Sequence, residues 1–170
     1  MSSIVNKLKG VKPLAQGSKL PTVGALKEEN PEKGTVDLAT VGGKIVIVGV
    51  PGAFTPPCSS QVPGYVEKAE QFAAKGVTGI YIVAVNDAFT TQAWKEKNGW
   101  NNPLVHLLAD DKGDFTRAAG LDFDASGLLG NQRSQRYAAI VENGVVKSIF
   151  VEDEAPSVTV TAAENVLQAV

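Results

Sequence analysis

The chain has 170 residues, a formal net charge of −2, 44% hydrophobic residues and 20% charged ones. That balance describes one globular domain with a core. It excludes a disordered chain, and a nucleic-acid binder that works through bulk positive charge. No apolar stretch approaches the roughly 18 residues that span a bilayer, and a lone cysteine, Cys58, permits neither an internal disulfide nor a thiolate zinc site.

A reducing, intracellular setting is the expectation, cytoplasmic by default, with peroxisome and mitochondrion left open. The first 24 residues carry Lys7, Lys9, Lys12 and Lys19 with no acid and no arginine, and no apolar run precedes a small-residue cleavage site. They read as neither a secretory leader nor an Arg-rich mitochondrial one, and residues 1–16 are expected to be a partly ordered extension. The end, Leu167-Gln168-Ala169-Val170, is not the Ser-Lys-Leu address.

In chain order, Lys44–Val50 is a continuous β-branched apolar run closed by Pro51, the pattern of a strand buried on both faces. Beyond Pro63-Gly64, Tyr65, Ala69, Phe72 and Ala73 fall at helical spacing, and Lys75-Gly76 is a stop. Gly79–Val85 is a second buried strand, Ala88–Lys97 a helix ended by Asn98-Gly99, and Leu104–Ala109 a third strand. Asp111 or Asp114 is placed to cap a short helix reaching Ala119. Asn143-Gly144 between Tyr137–Val141 and Val145–Phe150 predicts a type I′ hairpin. Thr161 is placed to cap a last helix, Ala162 to about Ala169. Alternating strands and helices followed by a hairpin and a helix predict an α/β fold. It has one mixed sheet with helices on both faces, in a single domain over 1–170.

The chemistry concentrates between the first strand and its helix, in Val50-Pro51-Gly52-Ala53-Phe54-Thr55-Pro56-Pro57-Cys58. Sites in open α/β sheets lie beyond the carboxyl ends of strands. The prolines and glycine stiffen this approach and are expected to hold it off the helical path, leaving Cys58 near a helix start. Free N–H groups and the helix dipole stabilise a thiolate there. Thr55 offers a hydroxyl to the sulfur or to a bound oxygen. A cysteine of purely structural use is commonly a small buried residue, but it needs no such rigid approach.

Arginine is scarce: Arg117, Arg133 and Arg136. Arg136 opens the strand at Tyr137, from where its donor fork can reach a neighbouring strand end and favour a thiolate. Arg117 and Arg133 read as solvated surface charges. His106, within the third strand, reads as a paired structural histidine. Asp110-Asp111-Lys112-Gly113-Asp114 is a turn and cap, lacking the ligand spacing of a calcium loop, and Gly127-Leu128-Leu129-Gly130 is no phosphate loop. Phe89 and Trp94 are expected in the core, Trp100 has no assignment, and Glu152-Asp153-Glu154 reads as a solvated acidic turn.

Pro51-x-x-x-Thr55-x-x-Cys58 resembles the active-site motif of the peroxiredoxins. The run Pro51-Gly-Ala-Phe-Thr-Pro56 with Val62-Pro-Gly-Tyr65 is similar to the peroxiredoxin-5 branch. Within it, the fungal peroxisomal-membrane-protein-20-like members, some of them known as allergens, are nearest in pattern. The likeness continues through Val85-Asn86-Asp87-Ala88-Phe89, Trp94, Leu107-Leu-Ala-Asp110, Gly113-x-Phe115, Leu128-Leu-Gly130, Arg136-Tyr137 and Val141-Glu-Asn-Gly-Val145, from about Gly17 to the end.

The resemblance implies a thioredoxin-like fold and reduction of hydrogen peroxide or alkyl hydroperoxides, with no metal or organic cofactor. It implies Cys58 as the peroxidatic nucleophile and Thr55 as a hydrogen-bond partner of sulfur and peroxide. Pro51 would shield the sulfenic acid, and Arg136 would hold peroxide and thiolate. A homodimer through the loops around the site is also implied. Ser59-Ser60-Gln61-Val62-Pro63 lacks the histidine that many relatives carry after the cysteine, and no second cysteine can resolve the cycle. An external thiol must do so: glutathione, glutaredoxin or thioredoxin. The competing expectation on the same fold is a low-turnover, oxidation-triggered chaperone or peroxide sensor.

Overall fold

The computed structural model describes residues 11–22 and 25–170. Most of the expected N-terminal extension, residues 1–10, lies outside them. Its remainder is tied to the body, the Leu14 amide donating to the Ala119 carbonyl at 2.9 Å, and just beyond it the Gly17 amide donates to the Val146 carbonyl at 2.8 Å.

The elements are β1 (Leu26–Lys27), β2 (Thr35–Val36), a 3₁₀ turn (Leu38–Thr40), β3 (Lys44–Val50), α1 (Pro56–Glu67), α2 (Ala69–Ala74), β4 (Val77–Ala84), α3 (Ala88–Asn98) and β5 (Val105–Ala109). They continue with α4 (Asp114–Ala118), β6 (Asp122–Asp124), α5 (Ser126–Leu129), β7 (Gln132–Ser134), β8 (Tyr137–Glu142), β9 (Val145–Val151) and α6 (Ala163–Ala169). Seven strands form one sheet in the order β2-β1-β5-β4-β3-β8-β9, and β6 pairs with β7 apart from it. β3, β4 and β5 run parallel, while β8 lies antiparallel to β3 and β9 antiparallel to β8. The sheet is mixed, as the order of elements predicts.

Period-two alternation splits the core. From β3, Val46, Val48 and Val50 pack with Cys58, Val62, Tyr65, Phe72, Trp94 and Val166 of the helices on one face. Ile45 and Ile47 pack on the other with Leu38, Val83, Leu108, Phe115 and Tyr137. Both faces are covered, which is why β3 reads as an unbroken apolar run. At Gly49, whose partner in register is Tyr137, an added Cβ would stand 2.0 Å from that ring. The hairpin turn has positive φ at both Asn143 (49°) and Gly144 (80°), the type I′ requirement.

Several local expectations are corrected. α1 starts at Pro56 rather than after Gly64. Pro56 and Pro57 occupy the first helical positions, where a missing N–H costs nothing and a fixed φ favours the helix. They open the helix rather than holding the chain off it, and Pro63 sits inside it. Neither Asp111 nor Asp114 caps α4. The buried Asp110 does, accepting the amides of Phe115 and Thr116 at 3.3 and 2.8 Å. Thr161 makes no cap on α6, and its hydroxyl turns instead to Glu152. Glu152 itself is buried, not solvated. Phe89 is 73% exposed, whereas Trp94 is buried edge-on to Trp100, ring centroids 4.9 Å apart. His106 meets Glu28 at 2.7 Å and stacks on Tyr81, the paired structural role its position suggests.

Candidate active site

The loop after β3 is fixed from three sides. The Ala53 amide donates to Asn86 Oδ1 at 2.9 Å, beyond the end of β4. The Thr55 hydroxyl donates to the Gly52 carbonyl at 2.9 Å. Arg133 reaches the Pro51 carbonyl with Nη1 at 3.4 Å and the Leu129 carbonyl with Nη2 at 3.4 Å. Phe54 turns the chain with φ 67°, a left-handed conformation rare for a bulky residue, and its ring sits 6.4 Å from Trp94. Trp94 in turn donates through Nε1 to Ser59 Oγ at 3.2 Å, so α3 braces the first turn of α1.

Thr55 precedes α1 with extended backbone, and Cys58 is its third residue. Since the two prolines have no N–H, the first amide of the helix is that of Cys58 itself. The sulfur therefore sits at the positive end of the helix, fully buried. Arg136 crosses from the start of β8 and donates through Nη2 to Cys58 Sγ at 3.3 Å. Two more of its donors bond inside the protein: Nη1 to Gln61 Oε1 at 2.6 Å and Nε to the Ala155 carbonyl at 2.8 Å. Arg136 is only 1% exposed and no salt bridge neutralises it among the described residues, so its charge there serves the sulfur and neutral oxygens.

A cavity of about 490 Å³ opens here, walled by Pro51, Thr55, Pro57, Phe123, Leu129 and Arg136 among others. Three of the four residues singled out from the sequence thus share one cavity. The fourth, Cys58, meets it through the guanidinium of Arg136. Thr55 Oγ1 faces the Gly52 carbonyl instead of the sulfur, which leaves its oxygen able to accept. Arg133 is corrected from a solvated charge to a part-buried clamp of the Pro51 loop. Burial draws its guanidinium below the ordinary value, and the Cys58 charge pulls it back up.

Sequence reading missed Gln61, Glu152 and Thr161. Gln61 stands one helical turn past Cys58, so a helix started at Pro56 would have put both on one face. Its Nε2 donates to the Thr161 hydroxyl at 3.1 Å and carbonyl at 3.2 Å. No local pattern announces Thr161, which arrives from 100 residues away. Among the described residues no group of three His, Cys, Asp or Glu could hold a metal ion.

The Redoxin family matches residues 15–167. Peroxisomal membrane associated protein 20 of Schizosaccharomyces pombe is 56% identical over 155 residues, which covers 91% of this chain and 97% of that protein. Peroxiredoxin-2C of Oryza sativa subsp. japonica is 41% identical over 162 residues, 92% of this chain and 98% of its own. The chain belongs to the peroxiredoxin family.

As a peroxiredoxin it is a thiol-dependent peroxidase, and it groups with the peroxisomal-membrane-protein-20-like members of the peroxiredoxin-5 branch. The solved structure of reduced Prx3 from Vibrio vulnificus in complex with H2O2 is 42% identical. It superposes on this peroxiredoxin with a TM-score of 0.82, covering 92% of this chain and 99% of that one. The thioredoxin-like fold is therefore shown as well.

Proposed function

We propose that this peroxiredoxin reduces hydrogen peroxide and alkyl hydroperoxides through Cys58 in a one-cysteine cycle. The observation that carries the reading is the contact of Arg136 Nη2 with Cys58 Sγ, 3.3 Å, at the start of α1 and on the edge of a cavity. The thiolate attacks the terminal peroxide oxygen, an S–O bond forms, the O–O bond breaks, and the pair of electrons leaves on the distal oxygen. Cys58 becomes sulfenic acid, and the departing alkoxide or hydroxide takes a proton to give alcohol or water. Arg136 and the Cys58 amide are donors for the negative charge that develops on the leaving oxygen, and the Thr55 hydroxyl oxygen can accept from the bound peroxide. Pro51 walls the cavity and shields the sulfenic acid. The apolar wall formed by Phe123 and Leu129 favours alkyl hydroperoxides alongside hydrogen peroxide.

The sulfenic acid condenses with an external thiol, releasing water, and a second thiol frees Cys58 as a disulfide departs. Glutathione, glutaredoxin or thioredoxin supplies these thiols, because Cys58 is the only cysteine. The whole chain, 1–170, acts as one domain. It pairs as a homodimer through the loops around the site, a reading supported by the exposure of Phe54 (45%) and Leu128 (89%) there. For its compartment we propose the cytoplasm with a peroxisomal association, the latter supported by the name of the Schizosaccharomyces pombe relative. No described helix is long and apolar enough to cross a membrane.

The test is turnover of hydrogen peroxide and an alkyl hydroperoxide with each thiol donor, in wild type and Cys58→Ser. Turnover in the wild type and none in the variant is expected. Full activity in Cys58→Ser would overturn the mechanism.

A further inference from the structure

The buried carboxylate of Glu152 has no part in the steps above, yet its surroundings are built around it. It accepts four hydrogen bonds: from the Thr159 amide at 2.7 Å and hydroxyl at 2.6 Å, and from the Thr161 amide at 2.9 Å and hydroxyl at 2.7 Å. These close the segment between β9 and α6 into a clasp. Two points on that clasp reach the active-site arginine. The Ala155 carbonyl takes Arg136 Nε, and Thr161 takes the amide of Gln61, whose other end takes Arg136 Nη1. The Glu152 amide also donates to the Arg136 carbonyl at 3.0 Å, so clasp and arginine share a backbone anchor. Gln61, Arg136 and Thr161 are 3%, 1% and 0% exposed, and water does not compete for these bonds.

The chain of bonds has one direction. An ionised carboxylate only accepts, so the Thr161 hydroxyl must spend its single proton on Glu152. Its lone pairs are then what it offers to Gln61. The Gln61 amide must present its NH₂ to Thr161 and its oxygen to Arg136, and a guanidinium only donates. Were the Thr161 proton free to turn toward Gln61, the hydroxyl would no longer accept from Nε2, and the Thr161 carbonyl at 3.2 Å would be left as the one acceptor of that pair. Gln61, and through it the guanidinium whose Nη2 meets the sulfur, would be held by one bond fewer.

We infer that Glu152 and Thr161 are positioning residues of the peroxidase reaction: they brace Gln61 and thereby hold Arg136 on Cys58. The inference deepens the proposed function and rests on it. The charged groups facing Cys58 are Arg136 and Arg133, so a change in the arginine's hold must register in the thiol.

Thr161→Val removes the hydroxyl and keeps the branched shape, whereas Thr161→Ser keeps the hydroxyl. Two readouts apply to the intact chain: the second-order rate of Cys58 oxidation by hydrogen peroxide, and the pH profile of Cys58 alkylation by iodoacetamide. Circular dichroism and Tm establish that each variant is folded. Thr161→Val is expected to lose about tenfold in rate, the scale of one net buried hydrogen bond. Its alkylation profile should move to higher pH than that of the wild type. Thr161→Ser should restore both. A folded Thr161→Val with wild-type rate and profile would overturn the inference, as would a serine variant as slow as the valine one. If the valine variant does not fold, Glu152→Gln takes its place. Its amide can donate to Thr161 and free the hydroxyl proton, so a slower rate is expected and an unchanged one contradicts the inference. A wild type no faster than free cysteine would instead refute the peroxidase reading.

Discussion

At the scale of residues, the site is a question of where donors point. Arg136 has three hydrogen-bond directions in use and only one of them meets the sulfur. Replacing it with alanine removes a charge-assisted donor from sulfur and leaving oxygen together. Arg136→Ala is expected to lower the second-order rate with hydrogen peroxide by about 10²-fold or more, the range found for removing one preorganised transition-state donor. Stopped-flow kinetics on protein shown to be folded by circular dichroism checks this, and an unchanged rate removes Arg136 from the mechanism. Glu152 carries a second prediction. Burial pushes its carboxyl up, but the bonds from Thr159 and Thr161 outweigh that and hold it below the ordinary glutamate range. A carboxyl depressed in the folded state contributes stability above its unfolded value, about 4.3. That contribution fades as pH falls through the lower folded value. Glu152→Gln should therefore flatten the loss of Tm on acidification below about pH 4.3 relative to wild type. Parallel Tm–pH curves would contradict it.

At the scale of elements, β3 and α1 do most of the positioning. β3 ends where the loop begins, and its last pairing with β8, Gly49 with Tyr137, brings Arg136 alongside. That pairing needs the missing side chain. Gly49→Ala would put a Cβ 2.0 Å from Tyr137 Cε1, and overpacking of this kind costs about 1–3 kcal/mol. Urea denaturation should show that loss, and an unchanged midpoint would contradict the packing. In α2, Phe72 is fully buried and stacks on Tyr65, centroids 5.8 Å apart. Phe72→Ala should cost about 3–5 kcal/mol in the same assay.

At the scale of the whole molecule, what could be read from the sequence divides by the range of the interaction that fixes it. The strands buried on both faces, the type I′ hairpin at Asn143-Gly144 and the position of Cys58 are written in contiguous residues, and they are legible. The start of α1 was hidden because paired prolines read as a break when they stand at first and second helical positions. β1, β2, β6 and β7 are two or three residues long and carry no period to detect. Glu152 resembles any acid in an acidic run until Thr159 and Thr161 fold back onto it. Arg133 looks like a surface charge until Pro51, 82 residues earlier, is placed under it. Pro51, Thr55 and Cys58 stand out in the sequence because one stiff loop leads into a helix start, and Arg136 because it stands at the head of a strand. Gln61 and Thr161, which hold that arginine, meet only through tertiary contact.

The central claim is that this geometry activates one thiol. Its most direct test is the second-order rate of Cys58 oxidation by hydrogen peroxide, against free cysteine under the same conditions, with intact mass and a sulfenic-acid trap. The account predicts a rate many orders above free cysteine and one oxygen added at Cys58. A rate near that of free cysteine would contradict it, and would leave the oxidation-triggered chaperone or sensor as the reading of the fold.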